Sequence, residues 1–159
     1  MATVTKNRIR QAKQYSGPSG NKFAKVFRFN TSASGVCPDS DLSTAVQVND
    51  VVRIGILQAG LELHGALAIV SDAFAASTTA DIGFQYVDGV DSTAVPQDAD
   101  YFFAALATSS ASRTFANNAG VAPVVLPKDA YLIVTRKGAA DSALGILDVI
   151  VDGILNGPA

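Results

Sequence analysis

The residue types that perform acid–base and nucleophilic catalysis are scarce in this sequence of 159 residues, which contains one histidine, one cysteine and one glutamate. A triad of nucleophile, histidine and acid would have to use His64. His64 alternates with Leu63 and Gly65 as in a strand, and neither a serine nor Cys37 lies in a G-x-S-x-G elbow. We therefore expect His64 to face solvent or a neighbouring subunit, and we predict no catalytic residues and no enzymatic activity.

Metal ligands are equally sparse, because one cysteine and one histidine leave too few of the usual ligands for a zinc site. Four aspartates fall in one loop: Asp88, Asp91, Asp98 and Asp100. Carboxylates so placed could in principle surround calcium, but their spacing fits no EF-hand. Aspartate and glycine also dominate ordinary turns, which is the interpretation that we favour. The sequence predicts no metal site and no cofactor.

A short glycine-containing segment, residues 17–22 (GPSGNK), has the first features of a phosphate-binding loop. That motif requires Gly-Lys-Ser/Thr after its second glycine and lies between a buried strand and a helix. Here Asn21, Lys22 and Phe23 follow a polar leader instead. We therefore interpret the segment as a flexible hinge rather than as a nucleotide site.

Basic residues are concentrated near the N-terminus. No acidic residue appears before Asp39, so the first 38 residues carry a charge of +7. The rest of the chain holds five basic residues and all fourteen acidic ones, a balance of −9. The net charge of −2 thus conceals a basic arm on an acidic body. The candidate partner-binding residues are those of the arm: Lys6, Arg8, Arg10, Lys13, Tyr15, Lys22, Phe23, Lys25 and Arg28.

The arm has two classes of possible target, nucleic acid and protein. Seven basic residues would give salt-dependent DNA binding, and Tyr15 and Phe23 could stack on bases. The acidic body, however, would repel the same polyanion. An arm that reaches an acidic protein surface uses both halves of the charge pattern. We therefore expect a protein target, either a neighbouring copy or a larger partner, in preference to nucleic acid. A solvated tail is the remaining alternative.

From Val46 onward, short apolar runs alternate with turn residues, which is typical of an all-β sandwich or barrel. In one of these runs, Leu61, Leu63, Leu67 and Ile69 are predicted to share a face. Strands are predicted over residues 23–29, 51–56, 61–69, 81–87, 100–107, 113–116, 130–136 and 143–151. Their number is that of a jelly roll.

The run 100–107 is rich in alanine, which also favours a short helix there. The first predicted strand, 23–29, lies within the basic segment and has the pattern of an edge or added strand. The sequence thus predicts two parts. Residues 1–45 form an extended basic arm and linker, and residues 46–159 form a jelly-roll-like β-sandwich domain.

The sequence predicts neither a membrane span nor a secretory leader. Its longest apolar stretch, 61–70, is interrupted by Glu62 and His64 and is far shorter than the ~20 residues that a transmembrane helix needs. The basic N-terminus is not followed by an apolar segment. Cys37 has no partner for an internal disulfide, which agrees with a reducing compartment. We expect the chain to fold in a cytosol and to have no membrane partner.

Five segments of the body occur in a characteristic order: residues 49–61 (NDVVRIGILQAGL), 80–84 (ADIGF), 98–102 (DADYF), 126–135 (LPKDAYLIVT) and 145–151 (GILDVIV). In this order the body, from about residue 46 to residue 151, resembles the small cement, or decoration, proteins of tailed bacteriophage heads. The resemblance implies a jelly-roll-like domain that sits as a dimer or trimer on the outside of the head. It also implies that extended segments clamp neighbouring major capsid subunits, and that there are no catalytic residues.

The leading hypothesis is therefore a structural capsid cement protein on the virion surface, made and assembled in the host cytoplasm. Its expected partners are the major capsid protein and further copies of itself, with no small-molecule substrate. The alternative is a binding module, either a receptor- or glycan-binding sandwich of a virion fibre or a nucleic-acid-binding accessory protein. The absence of tryptophan weakens the glycan alternative. A steep salt dependence of DNA affinity would favour the nucleic-acid alternative.

Overall fold

The computed structural model describes residues 2–5 and 21–156. Within these residues the chain forms ten β-strands, and no helix is long and apolar enough to cross a membrane. The strands are β1 (Thr3–Thr5), β2 (Lys22–Thr31), β3 (Val51–Leu57), β4 (Leu61–Asp72), β5 (Thr79–Tyr86), β6 (Asp98–Ala107), β7 (Ser112–Phe115), β8 (Val124–Val125), β9 (Ala130–Lys137) and β10 (Gly145–Leu155).

The strands form two sheets that pack face to face. The first sheet has the order β1-β3-β9-β5-β6, and the second has the order β2-β10-β4-β7 with β8 also paired to β4. β1 and β3 are parallel, and the other paired strands are antiparallel. The chain passes repeatedly from one sheet to the other, and the sets β2-β10-β4-β7 and β3-β9-β5-β6 have the strand order of a jelly roll. The predicted all-β sandwich is confirmed.

Alternating apolar residues on facing strands build the core. Successive side chains of a strand point to opposite faces, so in β10 every second residue, such as Leu147 and Val149, is fully buried. Aromatic rings fill the space between the sheets. Phe29 of β2 stacks on Phe74 with a centroid distance of 5.2 Å. The core is therefore closed by side chains from both ends of the sequence.

The predicted strands are all present, with ends within a few residues of the expected positions. The alanine-rich run is strand β6 rather than a helix, and its Tyr101 and Phe103 are buried. β6 is irregular near Ala105, which has a φ of 51°, because the register with β5 shifts there. The short strands β1 and β8 are not indicated by the sequence pattern, since strands of three and two residues are too short to show a period.

One predicted detail is wrong, namely the phase of the apolar residues along β4. Leu61 and Leu63 are buried as expected, whereas Leu67 and Ile69 are half-buried on the outer face. The reason is a β-bulge, because the register between β4 and β10 skips His64. One extra residue moves every later side chain to the opposite face of the sheet.

Part of the segment that the sequence assigns to the arm is packed on the sandwich. β1 places the fully buried Val4 in the core, and β2 pairs with β10 along ten residues. β2 is an edge strand, as its alternating pattern predicts, and it buries Phe27 and Phe29 between the sheets. Residues 6–20 lie outside the described residues. Their extended conformation and the division of the chain at residue 45 therefore stay predictions.

A buried ion pair lies at one end of the sandwich, between β9 and the β9–β10 connection. Arg136 Nε of β9 donates to Asp141 Oδ2 over 3.0 Å, and both side chains are fully buried. The guanidinium lies against the rings of Phe29 and Phe74 at 5.2 and 4.6 Å from their centroids. Burial lowers the pKa of Arg136 and raises the pKa of Asp141 to about 6, although each charge favours the other. The desolvation of Asp141 thus outweighs its attraction to Arg136.

Candidate assembly surface

The outer face of the second sheet carries apolar side chains in register across four strands. Val26 pairs with Ile150, Ile150 pairs with Leu67, and Leu67 pairs with Phe115. Residues directly opposite one another on antiparallel strands share a face and have Cβ atoms about 5 Å apart. These four side chains therefore form one continuous strip from edge to edge of the sheet, which we call the apolar row.

Solvent reaches the apolar row along its whole length. Val26 is 56% exposed and Phe115 is 76% exposed, while Leu67 and Ile150 are half-buried. Single exposed apolar residues are common on protein surfaces, but a contiguous group of them marks a contact site. The apolar row is thus the part of the described surface whose geometry best fits an interface with another molecule.

Charged side chains line one flank of the apolar row. Arg28 forms a two-pronged ion pair with Asp148, with distances of 2.7 Å from Nε and 2.8 Å from Nη2. This hydrogen-bonded pairing raises the pKa of Arg28. The same cross-strand row continues through Ile69 to Arg113 on β7. The flank therefore presents two guanidinium groups and one carboxylate beside an apolar strip, which is the usual composition of an interface rim.

A second mixed row lies nearer the other end of the sheet. It contains Ile154, Glu62 and Val125, which are cross-strand neighbours on β10, β4 and β8. Asn156 Nδ2 donates to Glu62 Oε2 over 2.9 Å, and His64 lies 3.2 Å from Glu62 Oε1. Both contacts lower the pKa of Glu62, and the hydrogen bond from Asn156 has the larger effect. The only histidine is exposed on this face, which fits the expectation that it would face solvent or a neighbour.

The sequence-predicted binding residues divide into three groups. Lys22 and Arg28 lie on the outer face of β2, where Arg28 flanks the apolar row and Lys22 is the cross-strand neighbour of Ile154 in the second mixed row. Phe23 is buried in the core and does not contribute to a surface. Lys25 lies on the core-facing side of β2, with Nζ 5.1 Å from the centroid of Phe27, and its partial burial lowers its pKa. The remaining five lie outside the described residues: Lys6, Arg8, Arg10, Lys13 and Tyr15.

Sequence reasoning did not find the apolar row, although one signal of it is present. In β10 the outward phase is partly apolar, because Ile146, Ile150 and Ile154 alternate with Asp148 and Asp152 on the face opposite the buried set. Three isoleucines on a solvent-facing phase are more than an ordinary exposed face needs. Phe115 gives no such signal, since its place in the row follows from the register of β7 with β4.

The aspartate-rich loop serves the connection between β5 and β6. Asp88 pairs with Lys128 over 2.7 Å. Asp91 Oδ1 accepts hydrogen bonds from the backbone N–H groups of Ser92 and Gln97, over 2.8 and 2.7 Å. In residues 2–5 and 21–156, no three His, Cys, Asp or Glu side chains lie together in a way that could hold a metal ion. The carboxylates of Asp88 and Asp91 thus have structural partners, Lys128 for the first and the backbone of the turn for the second.

No protein-family model matches this chain, and no curated protein sequence is significantly similar to it. Among solved structures, it is similar to a chain in the capsid of Ralstonia phage GP4, with a TM-score of 0.64 and 14% sequence identity. The similarity covers 99% of this chain and 100% of that chain. The two chains therefore share one fold along nearly their whole lengths, and the sandwich described above is one that also occurs in a phage capsid.

Proposed function

We propose that this protein is a structural component of a phage virion, a cement protein that binds the outer surface of the head and clamps neighbouring major capsid subunits. The apolar row carries the proposal, because it gives an otherwise ordinary sandwich a sheet-wide contact surface. In this function the chain is made in the host cytoplasm and joins the capsid there. It requires no cofactor and no substrate.

Two further observations support the proposal. The fold likeness to a chain in the capsid of Ralstonia phage GP4 extends over both chains almost completely. The order of segments in residues 46–151 also resembles that of cement proteins of tailed phages. The first, on the backbone, supports a structural role in a virion, and the second, on the order of sequence segments, points to the cement proteins in particular.

In the proposed mechanism, the apolar row packs on a capsid subunit and the charged flank sets the orientation. Covering Val26 and Phe115 removes apolar area from water, at roughly 25 cal/mol per Å². Arg28 and Asp148 already hold each other in one geometry, so less side-chain entropy is lost when a partner docks beside them. Each contact is modest, but a lattice repeats it by symmetry and raises the effective concentration of the next one.

The basic residues of the interval 6–20 are a second proposed contact. Lys6, Arg8, Arg10 and Lys13 carry four charges within eight residues of sequence and would reach an acidic patch of the capsid or of a sister subunit. We expect their joint replacement by glutamine to weaken capsid binding and to flatten its salt dependence. Removing residues 1–30 instead would be uninformative, because it deletes β1 and most of β2.

The direct test is co-sedimentation of the purified chain with heads of its phage that lack it, using Phe115→Ser as the test variant. We expect at least about tenfold weaker binding, the scale on which an interface anchor acts. Val90→Ser is the matched control, because Val90 is 62% exposed but lies in the β5–β6 connection, away from the apolar row. Bound wild-type chain should also raise the melting temperature of the heads.

Wild-type chain that binds no head form would refute the cement function. Equal binding by Phe115→Ser and wild type would remove the apolar row from the mechanism. If heads are not bound but DNA is bound with a steep dependence on salt, the nucleic-acid alternative is favoured. Binding to host cells or glycans instead would favour a virion-fibre module.

A further inference from the structure

The outer face of the first sheet contains a cavity of about 290 Å³. Successive residues of a strand point to opposite faces, and Leu132 and Val134 of β9 belong to the core. Ile133 and Thr135 therefore point away from the core, and they form the floor of the cavity. Its walls include residues of β3, β5 and β6 and of the β5–β6 connection: Val51, Gln85, Gln97 and Ala99.

One wall of the cavity is a bulge of β6 that crosses a glycine of β5. In the register of these two strands, residues 99–102 of β6 all lie opposite Gly83. The β6 backbone passes so close to Gly83 that a Cβ there would stand 2.1 Å from the Asp98 carbonyl oxygen. A bulge re-aims the side chains of its strand. Here it raises Ala99 beside the surface of β9 and so gives the sheet a concave site.

Two buried polar atoms on this face lack a hydrogen-bond partner within residues 2–5 and 21–156, namely Thr135 Oγ1 and Arg53 Nε. Thr135 is only 7% exposed and lines the cavity. Arg53 is the cross-strand neighbour of Ile133, and its guanidinium lies 4.5 Å from the ring centroid of Tyr131. A buried polar group without a partner costs free energy. A group that enters the cavity and bonds to these atoms is therefore favoured.

Charges of opposite sign flank the cavity. Arg53 lies on the β3 side. On the other side are Asp81, which pairs with Lys137 over 3.8 Å, and Asp98 and Asp100 of β6. An anion would be attracted by Arg53 and repelled by these carboxylates, and a cation would meet the reverse. A neutral group that both donates and accepts hydrogen bonds fits this arrangement, with its carbonyl oxygen toward Arg53.

The polar groups of the lining favour a carboxamide as the group that binds. Gln85 and Gln97 bring amide side chains to the cavity and Thr135 brings a hydroxyl, all of which can both donate and accept. Gln97 Oε1 accepts from the Tyr86 N–H over 3.4 Å, so its NH₂ group remains a donor. The aliphatic floor suits the methylene groups of an amide side chain. A sugar ring would stack on an exposed aromatic ring, whereas Phe84 of the lining is buried.

We propose that this cavity binds an asparagine or glutamine side chain of a capsid subunit and is the second contact by which the protein clamps its neighbours. The inference rests on the proposed function, because a clamp needs contacts on two sides of the domain. The apolar row lies on the outer face of the second sheet and the cavity on the outer face of the first. These are opposite surfaces of the sandwich, so one subunit surface cannot cover both. The volume, near the lower limit for ligand pockets, suits one inserted side chain.

The first experiment titrates the full chain with N-acetylasparagine amide and follows the side-chain NH₂ signals of Gln85 and Gln97 by NMR. We expect both signals to shift saturably in the millimolar range, since the probe makes few contacts. The NH₂ signal of Gln47, which donates to the Ala45 carbonyl instead, should not move.

Thr135→Val tests the cavity because it keeps the shape of the side chain and removes the hydroxyl. It should weaken binding of the probe by about two- to tenfold, which is the contribution of one hydrogen bond. Its melting temperature should be no lower than that of wild type, since no hydrogen bond within the chain is lost. Thr44→Val, the same change at an exposed position before β3, is the control and should bind like wild type.

Two further probes decide the ligand class. Tighter binding of sodium acetate would assign the cavity to a carboxylate, and tighter binding of methyl glucoside would assign it to a glycan. Either result overturns the proposal. The absence of a saturable shift with every probe would overturn it too, because the cavity would then hold only water.

Phage heads test the clamp itself. Thr135→Val should still co-sediment with heads through the apolar row, but it should raise their melting temperature less than wild type does. Equal protection by the two chains would overturn the second contact. Wild type that binds no heads would refute the cement function and with it a capsid subunit as the partner, and the titration would still decide whether the cavity binds a carboxamide.

Discussion

The ring of Phe27 in β2 lies directly against Gly55 in β3, so closely that a Cβ at position 55 would stand 2.1 Å from Cδ1 of the ring. This contact connects the two sheets next to the β2 edge. A glycine inside a strand normally weakens it, because the residue loses more conformational freedom on folding. Here the absence of a side chain is what lets the aromatic ring of the facing sheet approach the backbone.

We therefore expect Gly55→Ala to lower the free energy of unfolding by about 1–3 kcal/mol, because the added methyl group displaces the Phe27 ring. Urea unfolding followed by circular dichroism measures the change. Gly120→Ala is the control, since a Cβ there would meet nothing closer than Asn118 Oδ1 at 3.6 Å. Equal losses in the two variants would contradict the role of the contact.

Replacing Phe29 by alanine tests whether β2 belongs to the folded domain or to an arm. Its ring is fully buried, and Phe29→Ala should cost about 3–5 kcal/mol through lost burial and a cavity. Val26→Ala, on the exposed face of the same strand, should change stability by about 0.5 kcal/mol or less. If Phe29→Ala leaves the main thermal transition of the chain unchanged, β2 does not fold with the sandwich.

Asp141 should make stability depend on pH in an unusual direction. Its pKa is about 6 in the folded chain and 3.8 for the exposed group, so the folded state binds the proton more tightly. The contribution of Asp141 to stability is therefore largest at low pH, and it is lost as pH rises from about 4 to 6. Between about pH 4 and pH 6 the free energy of unfolding should fall by an amount on the order of 2 kcal/mol through this group.

The measurement is the unfolding free energy at about pH 4.5 and pH 7 for wild type and Asp141→Asn, in which this proton can no longer bind. Wild type should gain stability at the lower pH relative to the variant. Asp148→Asn, the same chemical change at the surface ion pair with Arg28, is the matched control. A gain at the higher pH would show that the attraction to Arg136, not desolvation, governs Asp141.

We expect Asn117 to protect the edge strand β6 from pairing with strands of other molecules. Asn117→Ala leaves both the N–H and the carbonyl of Ala104 without that side chain, so we expect a loss of about 1 kcal/mol and faster aggregation on warming. Light scattering during a thermal ramp measures the aggregation. Asn156→Ala removes a hydrogen bond to Glu62 but uncovers no strand, so it serves as the control. Identical aggregation of the two variants would argue against a protective role.

The strands could be predicted from the sequence because each buries one face, so that apolar residues recur at every second position. The β4 bulge could not, because an inserted residue such as His64 looks the same in sequence as an ordinary one. Only the pairing with β10 shows that it is extra. Prediction therefore placed β4 correctly and gave the wrong face to Leu67 and Ile69.

The candidate site was predicted in part. Charge counting pointed to the N-terminal segment, and Arg28 does lie beside the apolar row, while Lys22 lies on the same face of the sheet beside Ile154. The row itself is made of single residues from four strands that are up to 124 positions apart in sequence, from Val26 to Ile150. Such a set has no local pattern, since it exists only once the strand order and every register are fixed. The alternating pattern of β2 places Phe23 on the same face as Phe27 and Phe29, and the structure buries all three, so Phe23 is not part of the site.

The chain enters and leaves the interval 6–20 through strands of different sheets, β1 at one end and β2 at the other. A partner that binds this interval therefore binds a segment that is anchored to the domain at both ends. The two anchors are of unequal strength, since β1 is held by three residue pairs with β3 and β2 by ten with β10. Under increasing mechanical tension we expect the three-residue pairing of β1 with β3 to break before the ten-residue pairing of β2 with β10. The domain then stays attached to the partner through the long ladder, with most of its core intact.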